Sequence, residues 1–139
     1  MRKSLLQLAM SGFFILLISE SSFSANEYFK SVATGNWNSI ATWQMSTNSG
    51  ATWFAATTTP NDTSGSVTIQ SPNSISVTVS VKTNQIIVNS GGIISINSAV
   101  VLTIFNGSVT LYSGGTISGA GTLQTKGAVL IDNRNGYEL

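Results

Sequence analysis

The sequence contains no cysteine and no histidine, and charged residues occupy only 8% of its 139 positions. Without cysteine there can be no disulfide, no thiolate zinc site, no thiol nucleophile and no lipidated cysteine at the end of a leader. Without histidine the commonest general base and metal ligand is missing. Acidic residues are nearly as scarce. Setting aside Arg2, Lys3 and Glu20, the chain holds Lys30, Lys82, Lys126 and Arg134 against Glu27, Asp62, Asp132 and Glu138, a net charge of zero. No excess of positive charge draws this surface to nucleic acid or to anionic lipid. Low charge of both signs is also unlike the high-charge composition of disordered chains. What fills the space is Ser, Thr, Asn and Gly among many β-branched residues, the composition of an all-β protein with a polar, uncharged surface.

Residues 1–25 have the layout of a secretory signal peptide. Arg2 and Lys3 precede an apolar stretch from Leu5 to Ile18, and Ser22-Phe23-Ser24 sets small residues three and one before a cut at Ala25. The apolar stretch is 14 residues long and is interrupted by Gln7 and Ser11. A membrane span needs about 20 residues. The expectation is a secreted or cell-surface protein of Gram-negative export type, with no span left after cleavage.

The mature chain is organised around Asn73–Tyr112. In blocks of eight this run reads NSISVTVS, VKTNQIIV, NSGGIISI, NSAVVLTI, FNGSVTLY. Ile86/Val88, Ile94/Ile96 and Leu102/Ile104 are apolar pairs two residues apart, which puts both side chains on one face of a strand. The Asn, Ser and Gly between them, Gly91 and Gly92 included, are turn formers. Short strands separated by corners at fixed spacing predict a β-solenoid. After Tyr112 the blocks shorten to six: Leu111, Ile117, Leu123 and Val129 fall in one phase, with Gly115, Gly121 and Gly127 as corners. Three octads give a coil of about 24 residues, and parallel strands default to right-handed crossovers. The predicted fold is therefore all-β: a single-stranded, right-handed parallel β-helix over residues 66–139. The chain stops soon after Val129–Ile131 with no polar capping repeat, which predicts a solenoid truncated at its C-terminal side and continued by further coils or domains of a longer protein.

Residues 26–65 form a separate, Trp-rich region holding Trp37, Trp43 and Trp53. The segments ATWQMS and ATWFAAT flank TNSG and predict a β-hairpin, with Asn48 and Gly50 supplying the turn. Two readings of the aromatics stand side by side. They cover the exposed end of the solenoid core, or one or two of Trp37, Trp43, Trp53, Tyr28 and Phe54 form a platform on which sugars stack. Alternation assigns Trp43 and Trp53 to a face of the hairpin without saying which face is buried.

The string Ser46-Thr47-Asn48-Ser49-Gly50-Ala51-Thr52-Trp53 resembles the Asp-box of sialidases and other β-proteins, with Asn48 in the place of the Asp. The resemblance implies a structural hairpin in which Ser46, Asn48 and Gly50 shape the loop and Trp53 packs under it. A wider pattern runs from Trp37 and Trp43 through Pro60, Val67, Ile69, Val77, Val79, Ile86 and Val88 to Gly91 and Gly92. It resembles the N-terminal region of secreted Bacteroidota surface proteins with parallel β-helix repeats, many of which end in a type IX sorting domain, and the eight-glycine domain that precedes β-helices in other surface proteins. Gly65-Ser66 and Asn73-Ser74 depart from that pattern. The resemblance implies an extracellular β-helix module and no activity.

Catalysis finds little to work with. A glycosidase needs two carboxylates at a set separation, and the four acids are far apart in sequence. Residues 66–129 contain no acid, which leaves a calcium-dependent lyase without ligands. NSGGIISI has the glycines of a calcium-binding repeat but not its Asp. Thr110, Thr116 and Thr122 recur every six residues, one per strand, too sparse for an ice-binding face. No catalytic, metal or cofactor residue is therefore expected. Two roles remain open: a structural or adhesive stalk module of a larger secreted protein, or a carbohydrate-binding accessory module of a polysaccharide-degrading one, its partner a polysaccharide or cell-surface glycan.

Overall fold

A computed structural model of the chain describes residues 26–132; residues 1–25, on which the signal-peptide expectation falls, and the last seven residues lie outside them. The first part contains β1 (Tyr28–Ser31), β2 (Gly35–Asn36), a single 3-10 turn (Ile40–Thr42), β3 (Trp43–Ser46) and β4 (Phe54–Ala55). Three complete coils follow. The first is β5 (Ser66–Ile69), β6 (Ser74–Val77) and β7 (Val81–Thr83). The second is β8 (Ile86–Val88), β9 (Ile93–Ile96) and β10 (Val101–Ile104). The third is β11 (Val109–Tyr112), β12 (Thr116–Gly119) and β13 (Thr122–Thr125), and β14 (Val129–Asp132) opens another. The fold is a parallel β-solenoid with a hairpin cap at its N-terminal end.

Each side of the solenoid is one sheet. The first has the order β14-β11-β8-β5-β1-β3-β4, the second β12-β9-β6-β2 and the third β13-β10-β7. All pairings are parallel except β1 with β3 and β3 with β4. Register stacks like on like: Phe29, Val67, Ile86, Val109 and Val129 form one column, and Ile75, Ile94 and Ile117 another. The apolar pairs of the sequence are the inward residues of these strands, and most are fully buried. The hexad residues Leu111, Ile117, Leu123 and Val129 fall on four successive strands.

The coils are shorter and less regular than octads predict. Val67 to Ile86, Ile86 to Val109 and Val109 to Val129 are steps of 19, 23 and 20 residues. The variation is confined to two of the three corners. From the first sheet to the second, the inward residues Ile69 and Ile75, Val88 and Ile94, and Leu111 and Ile117 are always six apart. From the second sheet to the third, Val77 to Val81 takes four residues, whereas Ile96 to Leu102 takes six. The constant corner is built on Ser90-Gly91-Gly92 and Ser113-Gly114-Gly115. Gly91 and Gly114 adopt φ of 82° and 88°, the left-handed region that glycine enters without steric cost. The Gly91 N–H donates to the Gly114 carbonyl at 3.0 Å, joining one corner to the next.

The solenoid also begins earlier than Ser66. β1 pairs in parallel with β5, and β2 with β6, so residues 28–36 already form a partial coil. The chain then leaves the coil path through the 3-10 turn. β3 returns antiparallel along the free edge of β1, and β4 adds to β3.

The cap proper is a pair of indoles. The Trp37 backbone N–H donates to the Ser76 carbonyl, which continues the β2–β6 ladder and aims Trp37 into the lumen. Trp37 and Trp43 are 0% and 1% exposed. Their rings meet edge to face, 5.3 Å between centroids and 71° between planes. Both indole N–H groups are satisfied: Trp37 Nε1 donates to the Pro60 carbonyl at 3.0 Å, and Trp43 Nε1 to the Trp37 carbonyl at 2.9 Å. The opposite end is different. Among the described residues nothing pairs with the outer edges of β12, β13 and β14, and Val129, Leu130 and Ile131 are 46%, 53% and 71% exposed.

Candidate functional site

The position of each tryptophan decides between the two readings of the aromatics. Trp37 and Trp43 are packed in the core with their polar atoms used, so neither offers a ring face to a sugar; the sugar-platform reading is corrected for both. The physical reason is the antiparallel register of β3 on β1, Phe29 opposite Met45 and Ser31 opposite Trp43, which turns Trp43 inward. Met45 pairs with Phe54, so Trp53 lies one step further, across from Ser46. Trp43 and Trp53 are thus on opposite faces of the hairpin, and Trp53 is directed to the outside of the first sheet. Phe54 is 42% exposed but does not line the groove that Trp53 borders.

The hairpin loop is held by side-chain hydrogen bonds, with Asn48 at its centre. Its Oδ1 accepts from the Ser46 hydroxyl at 2.7 Å and from the Thr52 N–H at 2.9 Å. Its Nδ2 donates to Thr52 Oγ1 at 2.7 Å. Ser46 Oγ in turn accepts from the Gly50 N–H at 2.9 Å. Gly50 has φ 89°, and a Cβ there would lie 3.3 Å from Trp53 Cζ2. The turn therefore rests directly on the indole. The Lys30 ammonium sits 4.4 Å from the centre of the Trp53 ring, an attractive cation–π contact.

Between this loop and the outer face of the first sheet runs a groove of about 360 Å³, open to solvent and lined by Tyr28, Ser49, Gly50, Trp53, Ser66, Thr68 and Gln85. Strand alternation supplies its floor. Phe29, Val67 and Ile69 point into the core, so Tyr28, Lys30, Ser66 and Thr68 point out. Tyr28 stands opposite Ser66, and Lys30 opposite Thr68. Gln85 enters from the residue before β8. Its neighbours Thr83 and Asn84 carry two buried oxygens without a hydrogen-bond partner, Thr83 Oγ1 and Asn84 Oδ1. Among the described residues no three acidic side chains gather at a point that could hold a metal ion.

Of the residues singled out in the sequence, Ser46, Asn48, Gly50 and Trp53 come together in one loop, and Gly91 and Gly92 form the constant corner. Ser66, Thr68, Gln85 and Lys30 were not singled out. The signal that finds them is period-two alternation within SVTIQ and YFKS, read for the outward positions instead of the inward ones. Comparison with protein-family models, with curated proteins and with solved structures gives no match.

Proposed function

We propose that the chain is a non-catalytic extracellular β-solenoid module, a structural or adhesive stalk element of a larger secreted protein. The observation that carries this reading is the closure of the solenoid at its N-terminal end. The N-terminal end is closed by buried Trp37 and Trp43 and by a hairpin along the free edge of β1. The described C-terminal end presents three strand edges and the exposed side chains of Val129, Leu130 and Ile131. An open edge of this kind is a template for further strands, and solenoids are stable when each repeat is covered by a neighbour or a cap. A closed N-terminal end suits a module that initiates a β-helix. The leader-like residues 1–25 and the resemblance to secreted Bacteroidota β-helix proteins point the same way.

The test is a fusion. Residues 26–132 are joined to a soluble parallel β-solenoid from which its own N-terminal cap has been removed. The reading expects a monomer with one cooperative unfolding transition, where the decapped solenoid alone aggregates. Continued aggregation, or two independent transitions, would count against it.

A second reading is favoured by the groove: a carbohydrate-binding accessory module. Its support is a solvent-open concavity that combines two aromatic residues with hydroxyl and carboxamide groups, the mixture that suits a polar ligand held in a defined orientation.

A further inference from the structure

We infer that the groove between the Asn48 loop and the first sheet is a binding site for an acidic saccharide, Tyr28 and Trp53 supplying aromatic contact, Ser66, Thr68 and Gln85 hydrogen bonds, and Lys30 the countercharge. This rests on the carbohydrate-binding reading and specifies it.

The first argument is that the polar groups of the groove are uncommitted. Several polar side chains around the cap are used by the protein itself. Ser46, Asn48 and Thr52 bond one another, Asn61 and Thr63 close a turn, and Ser31 accepts from Gln70 and Asn73. The side chains of Tyr28, Ser66, Thr68 and Gln85 make no hydrogen bond to any described residue, although all four are half-buried. A half-buried polar group without a partner leaves binding capacity that a hydroxyl-rich ligand can use.

The second argument is that the aromatic rings are held in place. Trp53 is backed by the Gly50 turn. Tyr28 is backed by Gly65, where a Cβ would come within 2.6 Å of Tyr28 Cε1. Both rings are therefore fixed before a ligand arrives, which lowers the ordering cost of binding. The volume of about 360 Å³ is at the small end of ligand sites, which begin near 300 Å³. It suits a short stretch of a chain, and the open shape lets a polymer continue past it.

The third argument is charge. Lys30 stands beside Thr68 and over Trp53, and among the described residues no carboxylate pairs with it. Lys30 is not in the groove wall itself but adjoins two residues that are, Trp53 and Thr68, and a carboxylate or sulfate on the bound sugar completes the site.

The experiment uses the mature chain and affinity gel electrophoresis against polygalacturonate, alginate and chondroitin sulfate, with methyl-esterified pectin and dextran as neutral polymers. At least one acidic polymer is expected to retard the protein, with roughly tenfold weaker binding in Lys30→Gln and little retardation by neutral polymers. Thr68→Phe, outward on β5 and outside the hydrogen-bond network of the Asn48 loop, fills the groove and is expected to abolish binding without lowering the melting temperature. Equal binding of neutral and acidic polymers, lost in Thr68→Phe but unchanged in Lys30→Gln, overturns the acidic class and leaves the carbohydrate reading standing. Binding that survives Thr68→Phe places any site elsewhere and overturns the groove. No retardation by any of the five polymers overturns both.

Discussion

Trp43 donates its indole N–H to the main-chain carbonyl of Trp37 at 2.9 Å, while the two rings meet edge to face. One indole therefore positions the other, and the pair closes the lumen where the solenoid begins. Truncating either ring opens a large cavity. Trp37→Ala and Trp43→Ala should each cost about 3–5 kcal/mol, enough to unfold much of the chain at ambient temperature. Trp43→Phe keeps most of the ring but leaves the Trp37 carbonyl without that donor, and should cost about 1–3 kcal/mol. Urea unfolding of the three variants checks the order; equal losses in Trp43→Phe and Trp43→Ala would show that the hydrogen bond, not the packing, dominates.

Asn48 is the hub of the hairpin loop, and its chemistry differs at its two ends. Oδ1 accepts two hydrogen bonds, and Nδ2 gives one to Thr52. Asn48→Ala removes all three and should destabilise the loop by about 1–2 kcal/mol, with a red shift in Trp53 emission as the turn lifts off the ring. Asn48→Asp keeps the accepting side and strengthens it with charge, while the Thr52 hydroxyl can rotate to donate instead of accept. Its stability should stay within about 1 kcal/mol of the parent. A collapse of the loop in Asn48→Asp, seen as the same emission shift as in Asn48→Ala, would contradict this account of the hub.

Thr83 faces the core, and its hydroxyl has no partner. A buried unpaired hydroxyl carries a penalty of about 1–3 kcal/mol, and replacing it by an apolar group of the same shape recovers part of this. Thr83→Val should raise the melting temperature by several degrees, on the scale of about 4–8 °C per kcal/mol for a domain this size. A fall in melting temperature would mean that the oxygen is bonded in solution, by a buried water for example.

The constant corner makes a sharper distinction between adjacent glycines. A Cβ on Gly91 would meet the Ser71 hydroxyl oxygen, the end of a side chain that can turn away. A Cβ on Gly92 would meet the Ile69 carbonyl at 2.8 Å, which is backbone and cannot. Gly91→Asn, a residue tolerated at positive φ, should cost less than Gly92→Ala. Thermal melts of the two variants decide the matter, and the reverse order would refute the explanation.

Much of this architecture is legible in the residues. The pairs Ile86/Val88, Ile94/Ile96 and Leu102/Ile104 announce inward strand faces because alternation has no other use for two apolar residues so placed. Gly115, Gly121 and Gly127 mark corners, and TNSG marks the hairpin turn. Coil length was harder to read, because a fixed octad assumes that all corners are equal. The repeat that does hold is Ser90-Gly91-Gly92-Ile93-Ile94-Ser95 against Ser113-Gly114-Gly115-Thr116-Ile117-Ser118, offset by 23 residues. The fate of the tryptophans could not be read from alternation within the hairpin, since the buried face depends on β1, which lies outside the hairpin. The groove was hidden for a related reason: Tyr28, Trp53, Thr68 and Gln85 come from four separate segments and meet only when β1, β5 and the hairpin loop are side by side.

The three seams of this solenoid are unequal in how much chain they can absorb. Where the first side turns into the second, every coil uses the same number of residues and adjacent corners are bonded to each other, so an added residue there would throw the next strand out of phase and turn its apolar side chains outward. The other two seams already accommodate a difference of two residues between neighbouring coils with the strands still in register. Loops inserted for recognition, epitope tags or fluorescent labels therefore belong at residues 78–80 and 97–99, where the chain can lengthen without rewriting the core.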